Sequence, residues 1–155
     1  MSNRKTPALL RRIGLPVAGV LILTFMAIQL VPYGRQHNNP ATVAEPPWNN
    51  AQTRDLFMAA CGDCHSNETT WPWYSDFAPV SWIVQHDVEE GRTKLNVSNW
   101  GRNENEADEA AETVQEGEMP PPIFLIVHPE ARLSNTDQQN LIRGLIATFG
   151  SEHEG

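Results

Sequence analysis

The chain of 155 residues holds only two cysteines, and both fall in one pentad, Cys61-Gly62-Asp63-Cys64-His65. Any fold it adopts must therefore hold two thiols and the following imidazole on a single local turn. Few chemistries use those residue types at that spacing. A dithiol–disulfide redox pair, a structural zinc site and a plain disulfide are the readings that need no prosthetic group. Structural zinc calls for four ligands and hence a second Cys or His pair, which the sequence lacks. A thioredoxin-like site belongs with alternating β and α patterning, which is lacking as well.

Covalent haem attachment is the reading that uses all three side chains. Two thiols three residues apart at the end of a helical turn reach adjacent edges of one porphyrin and can form thioethers with its vinyl groups, while the next residue turns under the iron. The expectation is one haem c, covalently held by Cys61 and Cys64, with His65 as the proximal axial ligand. For the opposite face, Met119 is the leading candidate. It lies between a helix stop at Gly117 and the run Pro120-Pro121-Pro122, a stiff non-helical loop able to hold a thioether against iron. His86, beside Asp87 on an expected helix, is the alternative distal ligand, and water or an open position is the third choice. Met58 stands three residues before Cys61 on the same helix and cannot reach the opposite face. His37 and His153 fall in polar segments, and His128 precedes Pro129 in a loop.

Charge is segregated along the chain. Arg4, Lys5, Arg11 and Arg12 precede residues 13–31, which carry no charge, and all 19 acidic residues lie beyond that stretch with the other seven basic ones, of which Arg35 is the first. A net −12 over that distal part excludes nucleic acid as a partner. The uncharged stretch is 19 residues, about 28 Å as a helix at 1.5 Å per residue, which suits a transmembrane anchor. Its basic flank implies a cytoplasmic N-terminus over 1–12 and an extracytoplasmic, periplasmic head on a bacterial inner membrane. A cleaved export signal is the rival reading of the same stretch. Residues 32–49, broken by Pro32, Pro40, Pro46 and Pro47, read as an extended linker that lets the head swing between partners.

The head, residues 50–151, is expected to be all-α, followed by a polar tail over 152–155. Gln52 to Ala60 runs without a breaker into Cys61. Pro79 to Glu90 forms a second helix with Gly91 as its stop, and Glu106 to Glu116 a third that ends at Gly117. Ser134 caps a last helix, Asn135 to Phe149, whose stripe is Leu141, Ile142, Leu145, Ile146 and Phe149. Trp71, Trp73, Tyr74, Phe77 and Trp82 are expected to pack around the porphyrin. The acidic run Glu104, Glu106, Asp108, Glu109, Glu112, Glu116, Glu118 reads as a solvated face, with a docking patch for a basic redox protein as the alternative. Asn67-Glu68-Thr69 and Asn96-Val97-Ser98 match glycosylation acceptors and are given no role.

An attachment helix, C-x-x-C-H, a Gly-x-Met-Pro loop and a Ser-capped C-terminal helix together resemble the class I cytochrome c fold. More narrowly, Cys-Gly-Asp-Cys-His-Ser-Asn-Glu-Thr, Trp-Pro-Trp-Tyr, Ala-Pro-Val-Ser-Trp, His-Asp-Val-x-x-Gly-Arg, Gly-Glu-Met-Pro-Pro and His-Pro-Glu-Ala-Arg-Leu-Ser resemble the bacterial haem-binding-domain family. That resemblance implies an exported, usually membrane-anchored monohaem protein. The leading expectation for its activity is single-electron transfer with no catalytic chemistry. A haem-based sensor, a peroxidase-like enzyme with a displaceable sixth ligand, and an accessory haem subunit of a respiratory complex are the alternatives.

Overall fold

The computed structural model describes residues 8–102 and 106–150, with side chains described from residue 13 onward. The expected N-terminal segment up to residue 7 and the tail over 152–155, with His153, lie outside the described residues, as does Glu104 of the acidic run. Among the described residues the regular structure is helical: α1 (Ala8–Ile28), α2 (Ala51–Ala60), α3 (Gly62–His65), α4 (Val80–Lys94), α5 (Ala110–Glu116), α6 (Pro122–Val127) and α7 (Asn135–Phe149), with short 3₁₀ turns at Trp73–Asp76 and Pro129–Ala131. The one β-type pairing among them is an isolated parallel bridge between Ala44 and Asn99.

The chain divides into two compact units, one formed by the sequence up to Gln36 with Pro72–Gln85, the other by His37–Trp71 with everything from His86 onward. In the first unit, α1 corrects the expected transmembrane anchor over 13–31. Among the described residues no helix is long and apolar enough to cross a membrane. The uncharged run is not one helix: α1 stops at Ile28, so its share of that run, residues 13–28, spans only about 24 Å at 1.5 Å per residue, short of the roughly 30 Å of hydrocarbon. Gln29 then turns out of the helix, donating from Nε2 to the Ala78 carbonyl (2.8 Å) and accepting from the Ala78 amide (3.1 Å). The inner-membrane placement that rested on this anchor falls with it.

The second unit carries the pentad. Asn50 caps α2 by accepting from the Thr53 amide at 2.9 Å, and Ser134 caps α7 by accepting from the Asp137 amide at 3.1 Å. Phe57 of α2, Val114 of α5, and Leu141, Ile142 and Leu145 of α7 meet Leu95 and Val97 in one buried core. Ile146, expected in the α7 stripe, is exposed. Gly117 ends α5 in the left-handed region at φ 77°, where a glycine has no steric penalty.

Three local expectations change. Gly91 does not stop α4, which continues to Lys94. The prolines after Met119 do not hold a purely irregular loop, because Pro122 occupies the first position of α6, where the missing amide donor costs nothing. Residues 37–49 contain no helix but are laid firmly on the second unit. Val43 donates to the Ser98 carbonyl (2.9 Å), Trp100 donates to the Ala44 carbonyl (3.0 Å), and Glu45 takes two hydrogen bonds from Arg54 (2.6 and 2.7 Å). Trp48 closes the strap against Phe57 and Phe149, with ring centroids at 5.3 and 5.6 Å.

Candidate functional site

The pentad begins where α2 ends. Cys61 donates its amide to the Phe57 carbonyl (2.8 Å) and its own carbonyl accepts from Cys64 (3.2 Å) and His65 (2.9 Å), so the chain makes one further turn, α3, immediately after α2. That turn displays both thiols and the imidazole within five residues. The cysteines are free thiols, not a disulfide.

Helix α4 lies against this turn at Gly91. A Cβ on Gly91 would stand 2.7 Å from the Cys64 carbonyl oxygen and 3.0 Å from Cys64 Cβ, so only glycine permits this approach. One helical turn further on, the Leu95 carbonyl faces His65 Nδ1 at 3.1 Å. A carbonyl can only accept, so Nδ1 carries the hydrogen and Nε2 presents its lone pair. The edge of the Phe57 ring steadies the imidazole from the core side, with centroids 6.5 Å apart. Burial holds His65 below its ordinary pKa, partly offset by the Leu95 and Gly91 carbonyls, which keeps the ring neutral and able to ligate.

The thiols tell the same story from the opposite direction. Burial, with Cys64 nearby, pushes Cys61 up to about 12; burial followed by the charges of Asp87 and Asp63 pushes Cys64 up to about 11. A redox dithiol needs a thiolate accessible near neutral pH, so this environment opposes that reading. Among the described residues, no group of three or more His, Cys, Asp or Glu side chains converges to hold a metal ion directly. Two protonated thiols and a neutral imidazole whose Nε2 keeps its lone pair are a donor set that fits a covalently attached haem.

The two candidates for the opposite ligand sit in different surroundings. Met119 is partly buried and packs against the core cluster that also takes in Cys61. Its amide and that of Glu118 both donate to the Thr113 carbonyl, at 3.1 and 2.9 Å, which folds the loop after Gly117 back onto α5. His86 stands out from α4, its side chain 67% exposed, with Nε2 3.5 Å from Glu90. His128 stacks on Phe124 (4.2 Å) and pairs with Glu130 (2.9 Å), a packed structural position. Met58 lies against Gly62 of the pentad. Of the aromatics expected around a porphyrin, Trp73 and Phe77 are exposed, and both lie in the first unit with Tyr74 and Trp82.

Sequence reasoning passed over the polar network behind the turn. The Asn67 amide donates to Ser98 Oγ (2.9 Å), Asn96 Nδ2 donates to Asn67 Oδ1 (2.9 Å), and Ser98 returns its amide to Asn96 Oδ1 (3.0 Å). The two apparent glycosylation acceptors are thus each other's partners, 6% and 4% exposed, and are closed to modification. Their N-x-S/T spacing was the one visible signal, and it pointed to the wrong chemistry. Arg92 was also missed: it follows Gly91 in the His-Asp-Val-x-x-Gly-Arg stretch, which drew notice only for its histidine.

Compared with protein families, residues 23–147 match the family described as "Haem-binding domain". No curated protein and no solved structure matches the chain.

Proposed function

The chain belongs to the haem-binding-domain family, and from that premise we propose that it is a monohaem c-type cytochrome that carries single electrons. The observation that carries the reading is the His65 imidazole, fixed by the Leu95 carbonyl in the tautomer that leaves Nε2 open, on the same turn as two protonated cysteines. In this reading Cys61 and Cys64 would hold the haem through thioethers, and His65 Nε2 would ligate its iron. When bound, the haem supplies a one-electron couple between ferrous and ferric iron. The chain's part is to hold that group rigidly. Phe57, Leu95 and Gly91 fix the His65 imidazole, and Met119, on the loop after Gly117, would be the second iron ligand. Partial burial against the core favours Met119 over the exposed His86. No residue near the turn is required to transfer a proton, so the reading needs no catalytic group. The two acids of α5, Glu112 and Glu116, are both exposed and suit a basic redox partner.

Optical spectra of the purified full chain, oxidised and reduced, with and without carbon monoxide, test this. The expected results are covalently bound haem that resists acid–acetone extraction, a low-spin spectrum, a near-infrared sulfur-to-iron band in the oxidised form and weak carbon monoxide binding. Met119→Ala should abolish the sulfur band, and His86→Ala should leave it intact. High-spin iron with ready carbon monoxide binding in the parent chain would overturn the carrier reading in favour of a sensor or peroxidase-like enzyme.

A further inference from the structure

Resting on the haem-binding reading, we infer that Arg92 is the positioning residue of the attachment turn: its guanidinium locks the loop that follows His65 onto the 37–41 strap, and its charge beside that turn raises the reduction potential of the bound haem. The guanidinium donates to oxygens of both the loop and the strap. Nε donates to the Ser66 carbonyl (2.8 Å), Nη1 to the Asn38 carbonyl (2.9 Å), and Nη2 to Asn39 Oδ1 (3.1 Å) and Thr69 Oγ1 (2.9 Å). Ser66 is the residue immediately after the proximal histidine.

The same acceptors tie the loop to the turn and to the strap. Thr69 Oγ1, while accepting from Arg92, donates to the Asp63 carbonyl inside the pentad (2.6 Å), and the Thr70 amide donates to Asp63 Oδ1 (2.8 Å). Asn39 Oδ1 accepts from Trp71 Nε1 (3.1 Å) as well, and its Nδ2 donates to the Thr69 carbonyl (2.8 Å). His37 stacks on Trp71 at 4.6 Å to close the ring of contacts. Ser66 and Thr69 are almost fully buried, so without Arg92 their oxygens lose partners in a place water does not easily reach.

A lysine cannot replace this arrangement, because three guanidinium nitrogens reach diverging acceptors at once while an ammonium is a single point. Adjacent Gly91 and Arg92 divide the work of α4: Gly91 admits the turn, and Arg92 clamps what leaves it. The guanidinium, 2.8 Å from the carbonyl of the residue that follows His65 and one residue from the Gly91 that abuts Cys64, sets a fixed positive charge beside the attachment turn. A fixed positive charge beside the attachment turn favours the ferrous state, which carries one less positive charge than the ferric, and so moves the potential upward.

The test uses the full haem-loaded chain with Arg92→Lys and Arg92→Gln, and Arg132→Gln as a basic-residue control away from the loop. The reduction potential and amide hydrogen exchange over residues 66–71 are read together. The expected result is a lower potential in Arg92→Gln, recovery toward the parent in Arg92→Lys, and no change in Arg132→Gln. Exchange in the loop should rise about tenfold or more in both Arg92 variants, since neither restores the fork. A parent-like potential in Arg92→Gln, or parent-like exchange in Arg92→Lys, overturns the inference while leaving the haem reading intact. Absence of covalent haem from the parent chain is the separate result that sinks the haem reading. If Arg92→Gln does not fold, Arg92→Lys decides alone: faster exchange at an unchanged potential supports the role, and any other combination refutes it.

Discussion

Replacing Gly91 by alanine puts two effects of opposite sign on one residue. Gly91 lies inside α4, where alanine normally gains about 1 kcal/mol over glycine. The new Cβ, however, would stand 2.7 Å from the Cys64 carbonyl oxygen, and ordinary contact begins at 3.4 Å, so α4 and α3 must part by about 0.7 Å. The obstacle is backbone, which cannot swing aside as a side-chain tip would, and overpacking of this kind costs roughly 1–3 kcal/mol. Leu95 is the residue just past the end of α4, and because its amide donates to the Gly91 carbonyl (2.9 Å) its own carbonyl moves with the helix end. A separation of the same size would stretch the 3.1 Å bond to His65 Nδ1 to nearly 4 Å and cost about another 1 kcal/mol. The net expectation is a loss of about 1–3 kcal/mol, and with it a proximal imidazole freed from its fixed tautomer. Urea unfolding of the full chain measures the first effect. The axial-ligand region of the electron paramagnetic resonance spectrum measures the second, as broadening from several imidazole orientations. A Gly91→Ala variant as stable as the parent, with an unbroadened spectrum, would refute the claim that α4 seats the attachment turn by close approach at this residue.

Three further outcomes follow from the second unit. Asn67→Ala removes the acceptor of buried Asn96 Nδ2 and should cost about 1–3 kcal/mol, while Asn67→Ala with Asn96→Ala should cost less than the sum of the single changes, as a double-mutant cycle in urea would show. Arg54 holds the Glu45 carboxyl below its ordinary range, so between the folded and unfolded values the unfolded chain binds more protons. That contribution is complete above the unfolded value of about 4.5 and is lost as pH falls through the folded one; Glu45→Gln should flatten this part of the stability–pH curve, by no more than about 1 kcal/mol because the pair is partly exposed. Ser134→Ala deletes the cap of α7 and should lower stability by about 1 kcal/mol, read as a drop in the urea midpoint without a change in slope.

What the sequence made legible was what short segments decide for themselves. The cap and stop of α7, the run of α2 into Cys61 and the left-handed end of α5 at Gly117 depend on neighbours within a few residues, and residue type announces them. The readings that failed depend on distant partners. An absence of charge over 13–31 is a property of a window, but where the helix ends is decided with the help of Gln29 and its two bonds to Ala78, 49 residues away. The proline-broken stretch up to residue 49 looked like a free linker because nothing local reveals that residues 98–100 offer it backbone partners. Gly91 is the sharpest instance. A glycine after a helical pattern reads as a stop, since most often the reason for glycine is its freedom in φ. Here the reason is the missing side chain, and the atoms that forbid one belong to Cys64, on a turn that the sequence places 27 residues earlier. The pentad could be named from five letters, but the helix that seats it, the carbonyl that sets its imidazole and the arginine that clasps its exit are visible only once the chain has closed on itself.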